Sequence, residues 1–398
     1  MKKMKRIYLD HAAATPMDPD VLKTFVSAAR KYTGNAHALH AEGVASRKGL
    51  ETARTQIAGV LGAHTDELVF TSGATESNIL AIQGVVRAAR EAGIQNPHII
   101  VSAIEHPSVL EAVRALVALG VKVDELRVDT DGLVDPRALR KLITPETVLV
   151  SVMYANNEIG SVEPLHEIAK EVRHARGMNA SLYPYFHTDA AQAMNYLDMN
   201  VLRLGVDLMT ISSGKTYGPY GIGALFIKRG TKIKSFFSEG IHEGGRRPGT
   251  EAVPLALSFA HAVLVAEKIK TKESARAAKL RNMLKEKILE KIPDATVNGN
   301  VEHLLPNMLS VTILGVESEA LVIYLDAGGV AVAGRSACTT SLDGASHVIL
   351  AIGKAGAVLS GTIRFSLGRG TTREDISYVA KELSRIVALL RGAGAVNK

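Results

Sequence analysis

Residues 207–223 read DLMTISSGKTYGPYGIG: an apolar run, two serines and a glycine, one lysine, then a glycine-rich turn. The run 207–212 has the length and composition of a buried strand. Lys215 stands just past its end. A lysine withdrawn from water is costly unless it is paired or chemically employed. In open α/β sheets, the space beyond the carboxyl ends of the strands is where ligands bind. The stretch therefore asks whether the neighbouring segments build such a sheet and what they bring to its edge.

Upstream, from about residue 67, short β-like runs alternate with helical patterns. ELVFTS precedes ATESNILAIQGVVRAAREAG, HIIVSAI precedes PSVLEAVRALVALG, VKVDELRV precedes DPRALRKLI, and TVLVSVMYA precedes PLHEIAKEVRHARG. YPYFHTD, DLMTIS and IGALFIKRG follow. Such alternation implies a mostly parallel sheet covered by helices. Downstream, residues 252–292 read as long helical segments. MLSVTILG, SEALVIYLDAGG, VAVAG, TIRFSLG and a final helix then imply a smaller α+β region. The expected division is an N-terminal segment, 1–15, a large domain, 16–257, and a small C-terminal domain, 258–398, that carries the Cys338 loop.

Composition narrows the function classes. The 398 residues are 46% hydrophobic and 22% charged, as in a globular protein. No apolar run approaches the roughly 18 residues of a membrane span. The start, MKKMKRIYLDHAAATP, is basic but lacks an apolar h-region, so no signal peptide and a cytoplasmic location are expected. Cys338 is the one cysteine, which rules out an intrachain disulfide and a cysteine-cluster zinc site. The net charge is +7, but the basic residues are scattered and aromatic residues make up 5%, so no nucleic-acid groove is expected.

The strand ends hold several chemically capable residues. TSGATESN (71–78) is either an anion cradle, with Gly73 in a tight turn and helix-start N–H groups beside the Thr75 hydroxyl, or an ordinary N-cap with Glu76 in the first turn. Asp189 in HTDAAQ either caps a helix or pairs with the cationic ring nitrogen of a cofactor. His106 in IEHPSV and the amides of NNEIG (156–160) reach two further strand ends. Cys338, in AGRSACTTSLDGASH, is either a small buried hydrophobe or, with Arg335 nearby, a thiolate. Arg364 in TIRFSLGRG needs an anionic partner, structural or a substrate carboxylate. A phosphate cradle, a carboxylate, an amide, a lysine, a histidine, a thiol and an arginine together suit pyridoxal 5′-phosphate.

The ordered stretches YLDHAAATP, GNAHALH, VFTSGATESN, EHPSV, NNEIG, HTDAAQ, SSGKTYGPYGIGAL, GGRRPGTE, SACT and IRFSLGR, from residue 8 to 369, resemble the cysteine desulfurases of the NifS/IscS kind. These are fold-type I pyridoxal-phosphate enzymes, like class V aminotransferases. The resemblance implies a large domain built on a mostly parallel seven-stranded sheet. It implies that Lys215 holds the cofactor as a Schiff base, Asp189 keeps the pyridine nitrogen protonated, and His106 stacks on the ring. Gln192 and Asn157 would lie near the phenolic oxygen. Ala74 N–H, Thr75 and Ser212 would hold the phosphate, with Thr250 supplied across a homodimer interface. Asn157 and Arg364 would bind the L-cysteine substrate. The Cys338 thiolate would take its sulfur as a persulfide, release alanine and pass the sulfur to a protein acceptor in iron–sulfur cluster assembly or tRNA thiolation.

Three departures stand out. Gly214 replaces the histidine that usually precedes the lysine, which puts one phosphate contact in question, with His242 of SEGIHEGG a candidate to compensate in part. Arg335 replaces a glycine near the thiol, and Ala14 replaces a hydroxyl residue. The short run after the last helix lacks the longer tail some relatives use to dock an iron–sulfur scaffold, so that partner is not assumed. The alternatives are a selenocysteine lyase or other enzyme of the same fold, and a non-enzymatic sulfur-relay or assembly partner.

Overall fold

Three runs, His98–Ser102, Thr147–Ser151 and Tyr185–Asp189, are buried along their whole length, as strands covered by helices on both faces must be. The computed structural model describes residues 6–237, 240–334, 346–354 and 361–395; Arg335 and Cys338 lie outside the described residues. In chain order the elements are β1 (Ile7–Tyr8), α1 (Pro19–Lys31), α2 (Ala41–Leu61), β2 (Leu68–Thr71), α3 (Ala74–Glu91), β3 (His98–Ser102), α4 (Pro107–Val117), β4 (Lys122–Leu126), α5 (Pro136–Leu142), β5 (Thr147–Ser151), α6 (Leu165–Asn179), β6 (Tyr185–Asp189), α7 (Val201–Leu204), β7 (Leu208–Ser212) and β8 (Gly223–Ile227). Then follow α8 (Val253–Lys291), β9 (Thr296–Val297), β10 (Met308–Thr312), α9 (Ser318–Ala327), β11 (Val330–Ala331), α10 (His347–Ala351), β12 (Thr362–Ser366) and α11 (Arg373–Ala395).

The large sheet has seven strands in the order β2-β8-β7-β6-β5-β3-β4. β8 runs antiparallel to β2 and β7, and the remaining pairings are parallel. This is the mostly parallel sheet the alternation of runs implied. Its consequence is that β2, β3, β5, β6 and β7 all release the chain at one edge. Side chains alternate across the sheet: Val150, Phe186 and Phe226 join a core shared with α2 and the start of α8, while Leu149, Tyr185 and Leu225 join one shared with α3 and α4.

A second, smaller unit has an antiparallel sheet, β12-β10-β9, and the parallel pair β1-β11. Its core gathers Leu309, Phe365, Ile376 and, from the N-terminal strand segment, Ile7 and Leu9. Helix α8 is 39 residues long and serves both cores. Phe259 and Val263 pack under the large sheet, and Leu284 and Ile288 pack in the smaller core. The segment after β1 therefore passes between the two units, which brings Asp10–Ala13 to the edge of the large sheet.

Candidate active site

At that edge a cavity of about 340 Å³ is lined by Ala74, Thr75, His106, Asn157, Asp189, Gln192, Ser212, Lys215 and Arg364, together with Ala12 and Ala13. Residues from five strand ends and from β12 thus converge. Lys215 closes the short 3₁₀ turn Ser213–Lys215 that follows β7. Its Nζ donates to the carbonyls of Ala12, at 2.8 Å, and Ala13. Its own carbonyl accepts from Asn195 Nδ2 at 2.7 Å. The amine is held half-buried by backbone oxygens, which answers how the chain bears a lysine there. Gln192 Nε2 donates to the same Ala12 carbonyl at 3.0 Å.

Asp189 ends β6 and is 5% exposed. Its Oδ1 accepts from Ala191 N–H at 2.9 Å and its Oδ2 from Asn78 Nδ2 at 2.7 Å. Asn78 also donates to Ser108 Oγ at 2.8 Å. Ser108 Oγ lies 2.8 Å from His106 Nδ1, which accepts the Ser108 backbone N–H at 3.1 Å. His106 is the N-cap of α4, with Pro107 at the first helical position. Because Nδ1 accepts, the neutral ring carries its proton on Nε2. Burial pushes the His106 pKa down, with Asp189 pulling it up and Lys215 pushing it further down, so the ring is neutral at pH 7. His187, two residues before Asp189, is fully buried against Ser151 Oγ and Thr210 Oγ1. Burial pushes its pKa down to about 4.

Helix α3 starts without a side-chain cap. Gly73 precedes it with φ 155° and ψ −178°, a region essentially reserved for glycine. Gly223 of β8 passes so close that a Cβ there would lie 2.8 Å from the Gly73 backbone. Glu76 reaches back past the helix start, accepting from Ser72 N–H at 2.6 Å and Arg247 Nε at 2.8 Å, and leaves the N–H groups of Ala74 and Thr75 uncapped. The first N–H groups of α3, with Thr75 and Ser212, are thus left facing the cavity as an anion site. Arg364 is anchored by Asp10 Oδ1 and the Asn157 carbonyl, each at 2.6 Å, while its Nε is buried without a partner. An amine, a buried carboxylate, an uncapped helix start and a guanidinium with an unpaired N–H fit pyridoxal phosphate and an amino-acid carboxylate.

Two expected residues lie elsewhere. Thr250 is exposed and lines a neighbouring cavity with Ser72, Gly221 and Arg247. His242 stands beside His37, with ring centroids 4.5 Å apart, and does not line the main cavity. What occupies the space beside Gly214 is Tyr220: a Cβ on Gly214 would meet its Cδ1 at 2.7 Å, and the Tyr220 hydroxyl donates to the Thr15 carbonyl at 2.9 Å. Asn78 and Ser108 sit in the quoted motifs, but no local pattern shows that one amide joins them.

Aminotransferase class-V is the family whose pattern matches residues 7–379. The chain is 40% identical over 389 residues to the cysteine desulfurase IscS of Dictyoglomus turgidum, covering 98% of this chain and 96% of that protein. It is 38% identical to the human cysteine desulfurase, covering 98% and 83%. A solved NifS-like protein superposes with a TM-score of 0.88 at 31% identity, covering 96% of this chain and all of the other. A second solved structure, SspA in complex with cysteine, superposes with a TM-score of 0.79 at 31% identity, covering 91% of this chain and 98% of that one. The chain belongs to the class-V aminotransferase family of pyridoxal-phosphate enzymes. Within it, its activity is that of a cysteine desulfurase. Among the described residues no helix is long and apolar enough to cross a membrane.

Proposed function

We propose that the strand-end cavity is where this desulfurase acts on L-cysteine, with Cys338 as the thiol that accepts the sulfur. The carrying observation is that Lys215, Asp189, His106, the uncapped start of α3 and Arg364 line one cavity. Lys215 would hold pyridoxal phosphate, with Asp189 against its ring nitrogen, Gln192 and Asn157 toward its phenolic oxygen, and Ala74 N–H, Thr75 and Ser212 on its phosphate. Bound there, the cofactor supplies an electron sink for the substrate carbons.

Arg364, with Asn157, orients the substrate carboxylate. Lys215 and His106 hold the protons exchanged at the substrate. The Cys338 thiolate attacks the cysteine sulfur, forming an S–S bond as the C–S bond breaks. The electron pair stays with carbon, which takes a proton, and alanine leaves. The persulfide on Cys338 then passes to a protein acceptor. Iron–sulfur cluster assembly or tRNA thiolation is the setting, and the cytoplasm the location, that the family likeness suggests.

Thr250 would reach the phosphate of a second subunit, making the enzyme a homodimer with two shared sites. Its exposure and its absence from the lining of this chain's own cavity support that reading. The division into a large domain, 16–257, and a small one, 258–398, rests on there being two cores, with α8 crossing the boundary and carrying Phe259 and Val263 into the larger one. The test is to add L-cysteine to the purified protein and to a Cys338→Ser variant and to assay alanine and sulfide. The variant should keep the visible cofactor band and lose sulfide release by several orders of magnitude. Undiminished sulfide from the variant overturns the assignment.

A further inference from the structure

We propose that His37, His242 and Glu251 form a binding site for a divalent transition metal of the zinc class. His37 lies in the turn between α1 and α2, His242 opens a 3₁₀ turn, and Glu251 follows Thr250. One donor atom from each lies within 4.8 Å of the others. His37 Nε2 is already 3.0 Å from Glu251 Oε1. Two imidazoles and a carboxylate are a recurrent zinc donor set that leaves a fourth position for water. Tetrahedral ligands on bonds of about 2.0–2.1 Å stand about 3.3 Å apart, so side-chain rotations of roughly an ångström close the site.

The independent sign is Glu251. Its side chain is 5% exposed, yet Oε2 is buried with no hydrogen-bond partner. An orphaned carboxylate oxygen is expensive, and a cation satisfies it. The arginines lining the same cavity of about 450 Å³ are engaged elsewhere. Arg54 makes a two-pronged bond to Glu243, Arg47 donates to the Ala36 carbonyl, and Arg246 donates to the Asp66 carbonyl. At His242, Nδ1 takes one long contact, 3.3 Å, from Gly249 N–H, so ligation through either ring nitrogen displaces little. A metal here ties the α1–α2 turn to the segment that carries Thr250.

The test is Zn²⁺ equilibrium dialysis of the cofactor-loaded Cys338→Ser chain, which removes the thiol as a competing ligand, followed by metal analysis. One Zn²⁺ per chain is expected. His37→Ala and Glu251→Gln should each weaken retention at least about 10-fold, with far-ultraviolet circular dichroism unchanged. Co²⁺ in place of Zn²⁺ should give visible ligand-field bands that both variants lose. No retained Zn²⁺, or retention that both variants leave intact, overturns the proposal.

Discussion

The strand-end cavity and the segment 240–251 both carry functional side chains but hold them differently. In the cavity, Lys215 and Asp189 have partners from elements distant in sequence, His106 is tied to Asp189 through Ser108 and Asn78, and the network closes within one chain. In the 240–251 segment, Thr250 is exposed and Glu251 keeps an orphaned oxygen. Arg247, bonded to Glu76, fastens that segment to the start of α3. Chemistry that requires fixed geometry sits on strand ends, where packing supplies rigidity. Contacts that a second subunit or an ion would complete sit on loops.

The largest effect expected is at the cavity. Lys215→Ala should abolish the visible cofactor band and lower alanine formation at least about 10³-fold. A variant that keeps both would erase the contrast between the two regions.

Next is the support beneath the cavity. His187 has a usual pKa of 6.5 that burial lowers to about 4. Between those values the unfolded chain takes a proton that the native chain refuses, so stability falls as pH drops through that window and levels off below it. The loss is about 3 kcal/mol. Glu163, raised by burial to about 8, acts in the opposite direction, losing stability as pH rises from its usual 4.5 toward 8. The readout is therefore the difference between wild type and His187→Gln in urea unfolding at about pH 7.5 and about pH 4.5. The variant should lose less stability on acidification. Equal losses would mean that His187 does not remain neutral.

Asn78→Ala removes the bond to the Asp189 carboxylate and the bond to Ser108 together. A bond to a charged group is worth about 1.5–3 kcal/mol, so cofactor dissociation, followed by dialysis and absorbance, should be about 10- to 100-fold easier. An unchanged dissociation constant would confine the network to the folded scaffold. The smallest effect is on the loop. Thr250→Ala should weaken cofactor retention by about 3- to 10-fold, as one neutral hydrogen bond would, and only in a protein that sediments as a dimer. A monomer with full retention would remove Thr250 from the site.

Much of this was legible in the sequence. The alternation of runs gave the sheet, because strands buried on both faces need continuous apolar runs. TSGATESN, HTDAAQ and SSGK gave the edge residues, because the turn after a parallel strand is where glycine, small residues and polar groups must gather. Gly214 is different. The sequence offers His242 in place of the missing imidazole, but His242 sits beside His37, and Tyr220 fills the space instead. No local pattern links residues 214 and 220 through Thr15.

The sequence by itself determined the class of fold, the lysine, carboxylate, histidine and arginine of the cavity, and the single cysteine, since these depend on residue identity and short-range spacing. Tertiary structure alone decided which carbonyls hold Lys215, that Asn78 couples Asp189 to His106 through Ser108, that Asp10 anchors Arg364, and that His37 meets His242 and Glu251. Those are contacts between segments from 30 to more than 350 residues apart. Such contacts follow from which strand neighbours which and where α8 joins the two cores. The sheet order β2-β8-β7-β6-β5-β3-β4 is not the chain order, and local propensity, which acts over a few residues, carries no record of it.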